Sequence, residues 1–232
     1  AVKVAVRVRP FNEREKQSSQ VPVLRMSSAN SLVQIRAAKD PAAGDTKFAF
    51  DHVFWSMDGA FAKDLDGKPP ATQADVYAVL GRPLVDQSFG GYNGCLFAYG
   101  QTGSGKTHTM LGGAPNEPEQ VGIIPRICAD IFADKAAIEG KANARSTYTV
   151  EVGYVEVYNE NVNDLLAERK TDSRGKVVEG DVNLTVVTAP GGGVMLQNQT
   201  LRGCDSPEAM LGFIEQGNAS RHVAATKMNA RS

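Results

Sequence analysis

The sequence has few cysteines, no long apolar run and no excess of positive charge, and each absence excludes a class of protein. The three cysteines, Cys95, Cys128 and Cys204, form no C-x-x-C pair, which argues against a disulfide framework or a zinc site. No apolar stretch approaches the length that crosses a bilayer, so we expect no direct membrane insertion. The formal net charge of −1 argues against nucleic acid as the main partner.

The 232 residues fit one large α/β domain or two small ones. Alternating apolar residues predict a strand over residues 2–8, and short strand-like segments follow at 32–35 and 47–50. Polar composition, glycine and proline predict loops over 11–31 and 56–70. Thr72 is a candidate N-cap for a helix, which Gly81 and Pro83 should kink or break.

The second half of the chain also mixes strand and helix patterns. A long strand is predicted over residues 147–158, with a bulge near Gly153 where the alternation slips. The charged stretch 168–181 predicts a solvated loop. Ser206, followed by proline and an acidic residue, predicts the start of a helix that Gly217 should end.

One segment carries a motif with a defined chemistry. Residues 100–107 match the P-loop pattern G-x-x-x-x-G-K-T, and the apolar run 95–99 before them predicts a strand buried on both faces. Glycines let backbone N–H groups converge on a triphosphate, while Lys106 reaches the β- and γ-phosphates and the Thr107 hydroxyl ligates Mg²⁺. The segment predicts binding of ATP or ADP with Mg²⁺, and a glycine-rich turn that binds no ligand is the alternative.

Two arginines in the first strand offer a second indication of a nucleotide site. Alternation places Arg7 and Arg9 on one face at the carboxyl end of the strand, where open α/β sheets bind ligands. A flat guanidinium followed by Pro10 can sandwich a purine ring, and His108, just past the P-loop, can face the base. Ordinary surface ion pairs for the arginines, and a capping or packing role for His108, are the alternatives that these residues leave open.

Together these motifs resemble the kinesin motor head. The matching segments follow the family order along nearly the whole chain: VRVRPFN at 6–12, GYNG at 91–94, FAYGQTGSGKTHTM at 97–110, GIIPR at 122–126, YVEVYNE at 154–160 and RHVAAT at 221–226. Residues 50–56, with the long loop after them, are similar to the third kinesin class, the long-range cargo transporters. The resemblance implies an α/β P-loop NTPase with a central, mostly parallel mixed sheet flanked by helices.

The resemblance also implies a role for each matched site residue. Four residues would frame the adenine: Arg7, Arg9, Pro10 and His108. The phosphates would be held by Gln101, Thr102, Gly103, Ser104, Gly105, Lys106 and Thr107, with Thr107 as the metal ligand. Asn229 and Ser232 would belong to switch I, which senses the γ-phosphate, and would complete a catalytic set with Lys106 and Thr107. Without the resemblance, Asn229 is an ordinary helix-end or loop residue.

The implied function is an ATP-dependent motor that hydrolyses Mg-ATP and moves along microtubules. Its expected location is the cytoplasm, on microtubules, with the ciliary axoneme as one alternative, and its expected homodimer forms through regions not present here. Residues 1–232 are expected to be one motor domain without switch II and the neck linker, so this fragment alone should hydrolyse ATP poorly. The alternatives are a static, kinesin-like microtubule-bound component with weak or no ATPase activity, and an unrelated P-loop enzyme such as a small-molecule kinase.

Overall fold

The structure contains both helices and strands, with parallel and antiparallel strand pairs, as expected for the predicted α/β class with a mixed sheet. The computed structural model describes residues 2–18, 20–36, 44–113, 117–168 and 183–229, with side chains in the last range up to residue 221. The chain divides into two compact units, residues 1–127 and 128–232. No helix within these described ranges is long and apolar enough to cross a membrane.

The first unit contains one parallel strand pair and one antiparallel sheet among its described residues. Its strands are β1 (Ala5–Val8), β2 (Leu24–Ser27), β3 (Leu32–Ile35), β4 (Thr46–Ala49) and β5 (His52–Trp55). β1 and β5 pair in parallel, whereas β2, β3 and β4 form an antiparallel sheet in that order. The strands β1, β3 and β4 were predicted from the sequence, although β1 begins later than predicted.

The prediction of a loop over residues 11–31 was wrong, because this stretch contains helix α1 (Glu13–Gln17) as well as β2. Asn12 caps α1: its side chain accepts a hydrogen bond from the Glu15 amide at 2.9 Å. The Glu15 carboxylate accepts one in return from the Asn12 amide at 2.8 Å. This capping box is an N-x-x-E pattern that polar composition hides, since polar residues are typical of loops and of helix starts.

Four further helices begin in the first unit. They are α2 (Gln73–Leu80), α3 (Arg82–Phe89), α4 (Lys106–Met110) and α5 (Ile123–Glu139), together with 3₁₀ turns at Gly59–Phe61 and Pro118–Gln120. Thr72 caps α2 as predicted, by accepting a hydrogen bond from the Asp75 amide. The predicted break also occurs, because α2 ends at Leu80 and the next helix carries its proline near the first turn.

The core of the first unit lies on both sides of β5. Val53 and Trp55 pack with Met26 and Val33 on one side. Phe54, whose side chain points the opposite way along the strand, packs on the other side with residues of α2 and α5. The apolar run Val53–Trp55 in β5 is therefore typical of a parallel strand that is covered on both faces.

The strand predicted over residues 95–99 is absent from the structure. No described strand pairs with this run, and Phe97 and Tyr99 are 80% and 100% exposed. A strand buried on both faces needs hydrogen-bonding neighbours and side chains above and below it. In the described part of the first unit, β1 pairs with β5 instead, so the apolar composition of 95–99 was not sufficient to predict its burial.

Among its described residues, the second unit contains the greater part of α5, two antiparallel sheets and a second long helix. Its other elements are β6 (Val150–Val152), β7 (Val155–Tyr158), β8 (Asn161–Asp164), β9 (Asn183–Thr188), β10 (Val194–Gln197), β11 (Arg202–Cys204) and α6 (Pro207–Asn229). The long strand predicted over 147–158 is in fact two strands, because β6 pairs with β11 whereas β7 pairs with β8. The loop predicted over 168–181 lies, apart from Glu168, outside the described residues.

Helix α6 begins as predicted, since the Ser206 hydroxyl accepts a hydrogen bond from the Ala209 amide at 3.1 Å. Gly217 does not end it, and the helix continues to Asn229. The glycine instead permits a close approach: a Cβ added at position 217 would lie 2.0 Å from Cδ1 of Tyr154. The Tyr154 hydroxyl also donates a hydrogen bond to the Asn218 side chain at 2.7 Å. Gly217 is therefore explained by packing, not by termination of the helix.

Replacing Gly217 with alanine is expected to lower the free energy of unfolding by about 1–3 kcal/mol, because the new methyl group overlaps the Tyr154 ring. Gly212, on the same helix, has open space around it and provides the matched control. Gly212→Ala should raise stability by up to about 1 kcal/mol through helix propensity alone. Urea denaturation of both variants checks this, and equal stabilisation by the two substitutions would contradict the close packing at Gly217.

Candidate functional site

A cavity of about 440 Å³ lies in the first unit, beside the loop that precedes α4. The lining comes from the end of β1, the residue after β5, the start of α2 with the residues before it, the loop before α4, α4 itself and the 118–120 turn. The lining residues are Arg7, Arg9, Pro10, Ser56, Pro70, Ala71, Thr72, Gln73, Ser104, Gly105, His108, Thr109, Glu119 and Gln120. Its size suits a small organic ligand. Its position beyond the carboxyl end of β1 is where α/β proteins bind such ligands.

The loop beside this cavity is shaped by glycines in conformations that other residues rarely adopt. Gly100, Gly103 and Gly105 have φ angles of 153°, 80° and 95°. The Ser104 amide donates to the Gln101 carbonyl at 3.1 Å, which closes a tight turn. The chain then enters α4 at Lys106. Such a loop presents backbone groups to a ligand at short range, as a phosphate cradle requires.

Lys106 reaches back over this loop from the first turn of α4. Its ammonium group donates to the carbonyls of Gly100 at 2.7 Å and Gln101 at 3.0 Å. The positive charge is therefore held beside the turning backbone of the loop. Thr107 follows it and is exposed.

Arg7 is partly buried at the wall of the cavity and makes hydrogen bonds across three elements. Its guanidinium donates to Ser56 Oγ at 3.1 Å, Gln73 Oε1 at 2.6 Å and Thr109 Oγ1 at 3.1 Å. Burial lowers the pKa of Arg7 from its ordinary value. These three partners are neutral, so they orient the cation without cancelling its charge, and it can attract an anionic or electron-rich ligand.

Arg9 joins the loop to α1. Its Nε donates to the Gly103 carbonyl at 2.8 Å, and its two terminal nitrogens donate to the Glu15 carboxylate at 2.7 and 2.8 Å. The Arg9 hydrogen bond, with a further one from the Asn12 amide, lowers the pKa of Glu15 to about 2. This two-point pairing fixes the guanidinium plane, which gives Arg9 a structural role in addition to lining the cavity.

The pairing predicts a defined pH dependence of stability. The pKa of Glu15 in the folded chain is about 2, below its ordinary value of 4.5, so its stabilising contribution is present above pH 4.5. The contribution is lost as the pH falls from 4.5 towards 2. Glu15→Gln should therefore lower Tm at pH 6, and the difference from the parent protein should shrink as the sample is acidified.

The matched control for that experiment is Glu13→Gln, which removes an exposed carboxylate from the same helix. It should leave Tm almost unchanged at pH 6, because exposed ion pairs contribute little. Thermal denaturation at a series of pH values provides the measurement. A Tm difference for Glu15→Gln that stays constant from pH 6 to pH 2.5 would contradict the assigned role of the Arg9–Glu15 pair.

The structure brings together most, but not all, of the residues predicted for the site. Six line the cavity: Arg7, Arg9, Pro10, Ser104, Gly105 and His108. Gln101, Thr102, Gly103, Lys106 and Thr107 belong to the adjoining loop and helix and are not part of the lining. Asn229 is the last residue of α6, but its side chain, like all of Ser232, lies outside the described part of the chain. The roles assigned to all these residues stay predictions.

Several residues that shape the cavity were not predicted from the sequence. Arg7 is held by hydrogen bonds to Ser56, Gln73 and Thr109. The distance from Oε1 of Gln120 to Nε2 of the His108 ring is 3.1 Å. One sequence signal was available for Gln73, since a polar residue directly follows the Thr72 cap. That signal is common to many helix starts and does not indicate burial.

Comparison with known proteins shows similarity along the whole chain. A family model described as the kinesin motor domain matches residues 7–232. Kinesin-like protein K39 of Leishmania chagasi is 45% identical over an alignment 249 residues long, which covers 100% of this chain and 25% of that protein. Kinesin-like protein unc-104 of Caenorhabditis elegans is 39% identical over 232 residues, which cover 100% of this chain and 13% of that protein.

Solved structures of kinesin motor domains are also similar to nearly the whole chain. A KIF14 dimer with AMP-PNP, in complex with a microtubule, is 35% identical with a TM-score of 0.75. The similarity covers 95% of this chain and 54% of that one. The chain thus spans a quarter or less of the two curated relatives and about half of the solved chain.

Proposed function

Because this chain belongs to the kinesin motor domain family, we propose that it carries the nucleotide site of an ATP-dependent microtubule motor. One observation carries the proposal: the cavity lined by Arg7, Arg9, Pro10 and His108 adjoins the glycine-rich loop that ends in Lys106. A base site next to a phosphate loop is the arrangement that a nucleoside triphosphate requires.

The two ends of this site would bind different parts of the nucleotide. Arg7, Pro10 and His108 offer a flat cation and two ring surfaces for the adenine. The backbone of residues 101–105 and the Lys106 ammonium would hold the phosphates, with Arg9 keeping the loop in place through the Gly103 carbonyl. Catalysis at such a site consists largely of positioning and charge stabilisation.

The residues present also fit Mg²⁺ bound together with the nucleotide. The described residues contain no cluster of three or more His, Cys, Asp or Glu side chains that could hold a metal ion. Mg²⁺ needs no such cluster, because it usually keeps several waters and binds substrate phosphates plus one or two protein oxygens. The exposed Thr107 hydroxyl at the start of α4 would supply one such oxygen. Bound Mg²⁺ would neutralise charge on the β- and γ-phosphates.

Microtubules are the proposed partner, and the microtubule cytoskeleton is the proposed location. The support is family membership together with the KIF14 structures, which are themselves complexes with a microtubule. Dimerisation, a ciliary site and membership of the third kinesin class stay predictions.

The test is ATP turnover by the full-length protein, with and without polymerised microtubules. Strong stimulation by microtubules is the result expected of a motor. Binding to microtubules without stimulated turnover would favour a static structural component instead. The proposal would be overturned if the protein neither bound microtubules nor hydrolysed ATP faster in their presence.

A further inference from the structure

We propose that Gln73 is a positioning residue of the nucleotide site, which fixes Arg7 and His108 at the end that receives the base. This inference rests on the proposed function. Gln73 is the first residue of α2 and is only 3% exposed, although its side chain carries a polar amide. A buried amide is costly unless all of its polar atoms are paired, so its partners indicate what it holds in place.

The Gln73 side chain bonds to three segments that line the cavity. Its Oε1 accepts a hydrogen bond from Arg7 Nη1 at 2.6 Å. Its Nε2 donates to the His108 carbonyl at 2.7 Å and to the Gln120 carbonyl at 3.1 Å. One side chain therefore ties together the end of β1, helix α4 and the 118–120 turn.

The position of His108 depends on Gln73 through direct and indirect contacts. Gln73 Nε2 donates to the His108 carbonyl and also lies 3.4 Å from Nδ1 of the His108 ring. The indirect contact passes through Gln120, whose backbone is held by Gln73. The side chain of Gln120 lies 3.1 Å from Nε2 of the His108 ring. Loss of the Gln73 amide should therefore loosen both His108 and Arg7.

The side chains proposed for the phosphate end are held by other partners. Lys106 is held by the carbonyls of Gly100 and Gln101, and Arg9 is held by Gly103 and Glu15. None of the hydrogen bonds described for Gln73 reaches these groups. A change at Gln73 is thus expected to act on base binding and to leave phosphate binding intact.

The experiment compares two ligands in the full-length protein, ATP and inorganic tripolyphosphate, which has phosphates but no base. Gln73→Leu should raise the Kd for ATP roughly tenfold, which corresponds to about one lost contact to the base once Arg7 and His108 are no longer held in position. The Kd for tripolyphosphate should stay within about twofold of the parent value. In turnover, KM for ATP should rise while kcat at saturating ATP stays nearly constant.

The matched control is Gln87→Leu, the same substitution at an exposed position on α3, which should change neither Kd. If Gln73→Leu does not fold, Gln73→Asn gives the same comparison, because it keeps an amide but is too short by one methylene to reach all three partners. Equal weakening of ATP and tripolyphosphate would overturn the inference, as would unchanged binding of both. If the parent protein bound neither ATP nor tripolyphosphate, the proposed function itself would be overturned.

Discussion

Replacing Lys106 with alanine is expected to abolish ATP-dependent release from microtubules and to lower ATP turnover roughly 100-fold or more. The substitution removes the ammonium group that lies over the loop, bonded to the carbonyls of Gly100 and Gln101. Without it, negative charge on the phosphates would be compensated only by backbone dipoles and Mg²⁺. Steady-state ATP turnover and microtubule co-sedimentation with and without ATP, both on the full-length protein, provide the measurements.

Lys63→Ala is the matched control, because it removes the same side chain from an exposed loop position. It should leave turnover and release unchanged. Normal turnover in Lys106→Ala would remove Lys106 from the catalytic set. Loss of turnover in both variants would instead indicate a general loss of structure, which circular dichroism can detect.

The largest loss of stability is expected for Trp55→Ala, at about 3–5 kcal/mol. Trp55 is 1% exposed and packs in the core with Met26, Val53 and Met57. Its Nε1 also donates a hydrogen bond to the Phe61 carbonyl at 2.8 Å. The alanine variant leaves a large void in the core and leaves the Phe61 carbonyl without its Trp55 donor. Both changes lower the free energy of unfolding. Urea denaturation followed by circular dichroism measures the change.

Phe97→Ala is the control for that experiment, since this aromatic ring is 80% exposed. Its removal should change the free energy of unfolding by no more than about 0.5 kcal/mol. A loss for Phe97→Ala comparable to that for Trp55→Ala would show that residues 95–99 are packed, contrary to the structure described above.

The contrast between β5 and residues 95–99 shows why part of the fold could not be predicted from the sequence. Both segments are short and apolar, yet β5 was not identified as a strand, and 95–99 was predicted as a strand that the structure lacks. An apolar run indicates that a segment can be buried, but not which strand pairs with it. The alternating segment β1 was predicted correctly, apart from its start, because a period-2 pattern by itself specifies a strand.

The candidate site was predictable to the extent that it is local in sequence. The loop motif located residues 100–107, and alternation along β1 put Arg7 and Arg9 on one face. The partners of Arg7 could not be found in this way, because Ser56, Gln73 and Thr109 are 49, 66 and 102 residues away in sequence. Their side chains come together only when β1, α2 and α4 have packed, which is a property of the tertiary structure.

The buried tryptophan has a practical consequence for following unfolding. Trp55 is the only tryptophan in the sequence and lies in the first compact unit. Intrinsic fluorescence excited at tryptophan wavelengths therefore monitors the surroundings of β5, whereas far-ultraviolet circular dichroism also records α6 in the second unit. Coincident transitions by the two probes would mean that both units unfold together, and separated transitions would give each unit its own stability.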